Sequence, residues 1–245
     1  MMDIFIGLKM QKLFLVLLIL GLSQLSAKCD KHAKKLVKTY RHIQACQNNH
    51  LIWQDGSRML YDDGQRETND KILKHADIED MFTYSYRSEK YKNPRHDPGR
   101  YRNDAFFRKM YGNSAAAVKK RLKPVRWLGQ TVQMTSVNGV HKQLQKVANE
   151  LAKYPKLKKY LTPTGGTFKW RKIAGTNRLS VHSFGAAIDI RVKYSAYWRW
   201  NKGTYRYQNN IPLQIVKIFE KHGFIWGGKW YHYDTMHFEY RPELL

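Results

Sequence analysis

The chain has 245 residues, of which 44 are lysine or arginine and 19 are aspartate or glutamate, so its formal net charge is +25. This charge indicates a polyanionic partner or environment, but the basic residues are spread along the chain, which argues against a single nucleic-acid recognition helix. Only two cysteines are present, Cys29 and Cys46. Their position near the amino terminus excludes a Cys-x-x-Cys metal site and gives no support to a cysteine nucleophile.

A secretory leader is predicted at the amino terminus. Two lysines precede an apolar run over residues 13–22, and small residues follow up to Ala27. The run is too short to span a bilayer comfortably, and its flanks are typical of a signal peptide. We expect residues 1–27 to be removed, which leaves an exported protein of the periplasm or cell envelope with no stable membrane span.

Export also bears on the amino-terminal extension, which we place at residues 28–124. Disulfides persist in oxidising compartments, so we expect Cys29 and Cys46 to be joined. Asp55-Gly56 lies between two short apolar runs and predicts a hairpin. The segment 86–102 contains Pro and Gly and is a candidate loop and boundary.

Three helices are predicted from capping and spacing. Ser114 is a candidate cap for a short helix that ends at Leu122, before a proline. Apolar residues with helical spacing predict a second helix from about Val140 to Tyr154, and a third helix starts at Pro212. Helices mixed with strands in this order indicate an α+β fold.

Two polar clusters lie in the last third of the chain. They are Ser180-Val181-His182-Ser183-Phe184-Gly185-Ala186-Ala187-Ile188-Asp189 and Asp234-Thr235-Met236-His237. Two imidazoles and one carboxylate can hold a zinc ion and leave a fourth position open, and a further carboxylate can take the proton of an attacking water. The clusters therefore predict a zinc hydrolase.

Alternating side chains predict that each cluster is displayed on a strand. Residues 186–192 alternate between apolar and polar positions, with Asp189 on the polar face. Residues 236–240 repeat the pattern, with His237 and Glu239 on the polar face. We expect both polar faces to point away from the core, so that each strand offers one ligand.

The clusters also have simpler interpretations. A single histidine in a soluble protein is more often a surface or core residue than a metal ligand, and only the constellation makes His182 a candidate. Gly185 would let the chain turn and bring His182 back over the polar face. Asp234 could instead cap a turn. His232 competes with His237 as a ligand or substrate contact, but it lies outside the motif.

The pattern Ser-x-His-x-x-Gly-x-Ala-x-Asp followed by Asp-x-x-His resembles a family of zinc peptidases. The family includes bacterial D-alanyl-D-alanine carboxypeptidases, VanY-type L-alanyl-D-glutamate endopeptidases and, more distantly, the zinc domain of hedgehog proteins. The likeness covers about residues 125–245, the predicted peptidase domain. It extends through Trp170-Arg171-Lys172-Ile173-Ala174-Gly175-Thr176 and Gly223-Phe224-Ile225-Trp226-Gly227-Gly228-Lys229-Trp230. It implies a small antiparallel sheet that carries the zinc site. From the residues themselves we expect helices around this sheet and a helical and hairpin extension before it.

The resemblance also implies roles for individual residues. Three residues fall on the zinc-ligand positions: His182, Asp189 and His237. Asp234 falls on the position of the general base. Arg171 is similar to the arginine that steadies the oxyanion, although Arg178 lies closer to His182 in sequence and could fill this role. We expect Ser180 and Trp230 to contact the substrate, since aromatic rings beside a cleft suit peptide recognition.

We therefore expect an exported zinc metallopeptidase that hydrolyses peptidoglycan stem peptides. Carboxypeptidase members often have Glu where this chain has Asp234, and Asp is more similar to the endopeptidase branch, so the L-Ala–D-Glu and D-Ala–D-Ala bonds both stay open. One alternative is a non-catalytic, zinc-stabilised wall-binding module, against which the intact Asp234 argues. Another is a polyanion-binding protein without metal. Export favours anionic envelope polymers over specific nucleic acid as a further partner.

Overall fold

The computed structural model describes residues 29–65, 68–86, 96–173 and 176–245. The predicted leader at 1–27 lies outside these residues, as do parts of the predicted loop at 86–102. The helices are α1 (Lys31–Thr39), α2 (Asn69–His75), α3 (Asp104–Tyr111), α4 (Ala115–Lys119), α5 (Val140–Leu151), α6 (Lys158–Leu161) and α7 (Leu213–Lys221). The strands are β1 (Ile43–Gln47), β2 (His50–Trp53), β3 (Arg58–Leu60), β4 (Leu122–Trp127), β5 (Gln130–Thr135), β6 (Ala187–Asp189), β7 (Phe224–Trp226) and β8 (His237–Tyr240). These elements confirm the predicted α+β class.

The strands form three small antiparallel sheets. The first has the order β1-β2-β3, the second is the β4–β5 hairpin, and the third has the order β6-β8-β7. Pairing of β2 with β3 confirms the hairpin predicted around Asp55-Gly56. In the third sheet, Asp189 on β6 lies opposite His237 on β8. Residues opposite each other in an antiparallel pair have neighbouring side chains, so this register brings the two predicted polar faces together.

The predicted helices are present, but two of them are shorter than expected. The Ser114 hydroxyl accepts a hydrogen bond of 3.2 Å from the backbone N–H of Ala117 and caps α4, as predicted. However, α4 ends at Lys119, because Leu122 already belongs to β4 and pairs with β5. Helix α5 ends at Leu151 rather than Tyr154. Helix α7 begins directly after Pro212.

Buried side chains of the amino-terminal extension and of the carboxy-terminal segment belong to one hydrophobic cluster. The hydroxyl of Tyr40 donates a hydrogen bond to Glu243, and Lys35 Nζ donates to the backbone oxygen of Leu245 at 2.5 Å. The boundary predicted at 124 and 125 falls within β4, and the division into two domains stays a prediction. None of the helices in the described ranges is long and apolar enough to cross a membrane.

The cysteines are joined as the sequence predicted. Cys29 and Cys46 form a disulfide that links the segment just before α1 to β1 across a sequence separation of 17. A crosslink stabilises mainly by restricting the unfolded chain, and the element it constrains here is α1.

Replacing both cysteines by serine should therefore lower the free energy of unfolding by about 2–4 kcal/mol, the usual contribution of such a bridge. Hydrogen exchange should increase first in α1 and β1, while β6 and β8 stay protected. Equal loss of protection in all four elements would contradict this prediction. The parent protein under non-reducing conditions is the control.

Candidate functional site

Three predicted ligand residues converge at one end of the third sheet. His182 Nε2 lies 3.1 Å from Asp189 Oδ1 and 3.1 Å from His237 Nδ1. His237 Nδ1 lies 2.9 Å from the same oxygen of Asp189. His182 comes from the short 3-10 turn Val181–Phe184. Gly185 ends this turn with a left-handed φ of 63°, and an added Cβ there would meet a Leu122 methyl group at 2.6 Å. Both observations require glycine at this turn.

Outer hydrogen bonds orient both imidazoles toward the common centre. His182 Nδ1 lies 2.6 Å from the carbonyl oxygen of Thr167, and His237 Nε2 lies 3.1 Å from Glu239 Oε2. Because both partners are acceptors, each outer nitrogen must donate a proton, which leaves a lone pair on each inner nitrogen of a neutral ring. Two lone pairs and the Asp189 carboxylate then face one point. Three acceptors without a donor fit a bound cation, and metal-ligating histidines are usually oriented in this way.

The charges around this point also favour a cation. Burial opposes a charged imidazole at His237, but hydrogen bonds to Asp189 and Glu239 outweigh it and raise its pKa to about 10. The two carboxylates therefore favour a positive charge at this point, and a metal ion that replaces the inner proton of His237 would supply it. Burial opposes ionisation of Asp189, yet the nearby imidazoles, with His182 the stronger influence, hold its pKa well below the usual range. The site thus keeps an ionised carboxylate beside two imidazoles. Two further groups that could hold a metal in the described ranges are purely acidic, at Asp62, Asp63 and Asp77 and at Asp77, Glu79 and Asp80.

The polar face of β8 does not point away from the core, which corrects the expectation from alternation. Glu239 is fully buried, and its Oε2 lies 2.9 Å from Arg102 Nη1. Its other oxygen lies 3.3 Å from Arg241 Nη1. Burial would raise the pKa of Glu239, but the charge of Arg102 and the hydrogen bond from His237 lower it to about 2. The sequence could not reveal that Arg102 covers Glu239, because the two residues lie 137 positions apart.

Replacing Glu239 by Gln should lower zinc affinity by about 10- to 100-fold, the usual effect of losing a partner that orients a metal ligand. The amide keeps the size of the side chain but loses the negative charge that Arg102 and His237 face. Competition with a chelator of known affinity measures the change.

Glu243 provides a matched control, because it is also buried and also pairs with Arg241, yet no contact joins it to His237. Glu243→Gln should cost stability without the same loss of metal. If both variants lost zinc equally, general destabilisation rather than ligand orientation would explain the effect.

Asp234 lies beside the three ligand residues with one unsatisfied oxygen. Its Oδ1 is buried and has no hydrogen-bond partner. Burial, followed by the charge of Asp189, raises the pKa of Asp234 to about 6, while a backbone hydrogen bond from Met236 acts in the opposite direction. The carboxylate therefore caps the local turn, as one interpretation of the sequence expected, and still presents a free oxygen. A carboxylate with this pKa suits proton transfer near neutral pH.

A cavity of about 340 Å³ opens onto this group and brings most of the predicted site residues together. It is lined by the three ligand residues and by Arg171, Ser180, Trp230 and Asp234, among others. Trp230 is held by a hydrogen bond of 2.7 Å from its indole N–H to the carbonyl oxygen of Pro98. Its ring centroid lies 5.6 Å from that of His237. Whether Ser180 and Trp230 contact substrate stays a prediction.

The two candidate arginines occupy different places. Arg171 is exposed and lines the cavity. Arg178 is buried and lines a separate cavity with Lys74 and His75. Burial, followed by the charges of Arg102 and Arg100, lowers the pKa of Arg178 to about 9. Arg171 is therefore the one of the two that faces the site.

Several cavity residues were missed by sequence reasoning. Asp97 accepts hydrogen bonds from the backbone N–H of His232 at 2.9 Å and lies 2.7 Å from its Nδ1. His232 thus belongs to the cavity wall rather than to the ligand group. Arg100 and Arg102 follow Asp97 in the chain and line the cavity, as do three aromatic residues: Tyr197, Trp198 and Trp200. Asp97-Pro98-Gly99 looked only like a turn, and no periodic pattern marked these positions.

The arrangement as a whole is typical of metal-dependent hydrolases. It combines a His–Asp–His group, a separate carboxylate with a free oxygen, and an arginine at one cavity. A bound metal ion would add a Lewis acid to a site that already contains a carboxylate with a free oxygen and an arginine.

Comparison with known proteins agrees with this class. Residues 174–240 match the model of the family described as D-alanyl-D-alanine carboxypeptidase. The matched segment contains both polar clusters, and the match confirms the resemblance to VanY-like zinc peptidases that these clusters predicted. It supports a peptidase of the kind that acts on cell-wall peptides in general. No curated protein matches the chain.

Proposed function

We propose that the protein is an exported zinc metallopeptidase that hydrolyses peptide bonds in peptidoglycan stem peptides. The observation that carries the proposal is the convergence of three lone-pair donors beside the free Oδ1 of Asp234. Such a group has the ligand types of a catalytic zinc site with an open position. The family match supports the choice of a cell-wall peptide as substrate.

Five residues of the site have defined tasks in this proposal. His182, Asp189 and His237 would hold zinc, which when bound lowers the pKa of water to about 7 and polarises a carbonyl oxygen. Asp234 would take the proton of the attacking water and pass it to the leaving amine. Arg171, which lines the same cavity, would stabilise the developing oxyanion.

Export is proposed from two independent features. The predicted leader is the first. The second is the disulfide between Cys29 and Cys46, because such bridges persist in oxidising compartments and are rare in the cytosol. The strong positive charge suits attraction to the anionic polymers of a cell envelope.

Mass spectrometry of defined muropeptides tests the substrate and the metal together. Protein loaded with about one zinc per chain should release products that mark cleavage of the L-Ala–D-Glu bond, and chelation should stop the reaction. Release of terminal D-alanine alone would identify a carboxypeptidase instead. Zinc-loaded protein that binds muropeptides but cleaves none of them would favour the wall-binding module.

A further inference from the structure

A second cavity lies away from the site, where the amino-terminal sheet meets the rest of the fold. Its volume is about 550 Å³, which is within the range of small-molecule sites. It is lined by Arg41, His42, Trp53, Gln54, Asp55, Lys109, Met110, Arg121, Ser136 and Val137. The residues come from the turn before β1, the β2–β3 turn, α3 and both ends of the β4–β5 hairpin. None of them lines the cavity that holds the ligand group.

The charges in this second cavity are unbalanced. Three cationic side chains line it against a single carboxylate, that of Asp55. The carboxylate is already engaged by Lys109 and by the Ser57 hydroxyl, the latter at 2.6 Å. Arg41 and Arg121 are exposed, and no acidic group in the described ranges forms an ion pair with either. Arg121 Nη1 donates a hydrogen bond of 3.3 Å to the carbonyl oxygen of Tyr111, which leaves its charge uncompensated, so both guanidinium groups can still pair with an anion.

The wall contains polar atoms that the protein does not satisfy. Trp53 is 2% exposed, and its indole N–H has no hydrogen-bond partner. His42 Nε2 is likewise buried without a partner. Burial and then the charges of Arg41 and Arg121 lower the pKa of His42, so these groups are close enough to influence one another. An unpaired buried donor is unfavourable, and a ligand oxygen would satisfy it.

We propose that this cavity binds a phosphate ester of a polyol or sugar, such as a repeat of an anionic envelope polymer. Arg41 and Arg121 would pair with the phosphate oxygens, a role that suits the planar, always charged guanidinium. The Trp53 N–H and Gln54 would meet hydroxyl groups, and Met110 and Val137 provide the apolar wall. The site would hold the enzyme on the envelope independently of peptide cleavage.

Binding of glycerol 3-phosphate, measured by calorimetry at constant ionic strength, tests the proposal. The double variant Arg41→Gln/Arg121→Gln should weaken binding by roughly tenfold or more, as expected for loss of charge-assisted hydrogen bonds. The matched control Arg58→Gln/Arg126→Gln removes the same charge from exposed arginines outside the cavity and should change binding less than twofold. Peptide cleavage by both variants should equal that of the parent, so failure here is distinct from failure of the peptidase proposal.

Four results would count against the site. Equal weakening by both double variants would show that diffuse charge is responsible, and glycerol binding as tightly as its phosphate ester would show that the anion is irrelevant. A third contrary result is that the Arg41→Gln/Arg121→Gln variant loses duplex DNA binding and keeps glycerol 3-phosphate binding. That result would indicate a nucleic-acid surface. A shift of the Trp53 indole N–H resonance on addition of glycerol 3-phosphate, assigned with Trp53→Phe, would support the site, and an unchanged resonance would oppose it.

Discussion

Replacing Asp234 by Asn should lower turnover of stem peptides by about 10² to 10⁴-fold, the usual contribution of a positioned acid or base. Asparagine keeps the size of the side chain, and its oxygen can still accept the backbone hydrogen bond from Met236. It cannot take the proton of the attacking water. Zinc content should stay at the parental level, because Asp234 does not belong to the converging ligand group.

Steady-state kinetics together with metal analysis separate these effects. Asp70→Asn, a change of an exposed carboxylate on α2, is the matched control and should leave both quantities unchanged. Cleavage at the parental rate by Asp234→Asn would show that the base is another group. His232 would then be tested first, since it lines the same cavity, and Glu239 next, although its carboxylate is buried and engaged by Arg102.

Replacing His237 by Ala should remove zinc and turnover together. One of three inward-facing ligand atoms is lost, and Glu239 loses the hydrogen bond that it accepts from His237 Nε2. The decrease in zinc affinity should exceed the roughly 10- to 100-fold that follows loss of an outer partner alone.

The control for this variant is His222→Ala. His222 pairs with Glu150 at 2.9 Å and lies outside the cavity, so its loss should change neither zinc nor turnover. Full activity of His237→Ala with chelator-resistant zinc would show that the metal is held elsewhere. Unchanged activity of His237→Ala without any bound zinc would instead show that the reaction does not need the metal.

The features that could be predicted from the sequence are those that depend on residues close together along the chain. Alternation over 186–192 and 236–240 predicted strands at β6 and β8, and the motif predicted which side chains they bring together. The first strand is shorter than predicted, because β6 ends at Asp189 and Val192, expected on the buried face, is exposed at the start of a 3-10 turn. Ser114 was found as a cap because capping involves residues three positions apart. Such relations repeat in many proteins and can be read from a short window.

The features that sequence did not predict depend on contacts between distant segments. The ion pair of Arg102 with Glu239 and the hydrogen bond of Trp230 with Pro98 join positions more than 130 residues apart. Alternation indicated that Glu239 shares a face with His237, but it could not indicate that this face is covered. The burial of the polar face was therefore the main error in the expected site.

One ion pair and one hydrogen bond tie the amino-terminal extension to the carboxy-terminal segment, and they affect how the protein can be studied. A recombinant fragment that starts at residue 125 would contain all three ligand residues and Asp234, yet Glu239 would be left without Arg102 and Glu243 without Tyr40. Removing one partner of a buried ion pair costs about 3–5 kcal/mol, a large share of the roughly 5–15 kcal/mol by which a typical domain is stable. We therefore expect a fragment that starts at residue 125 to be inactive, although it contains the whole motif.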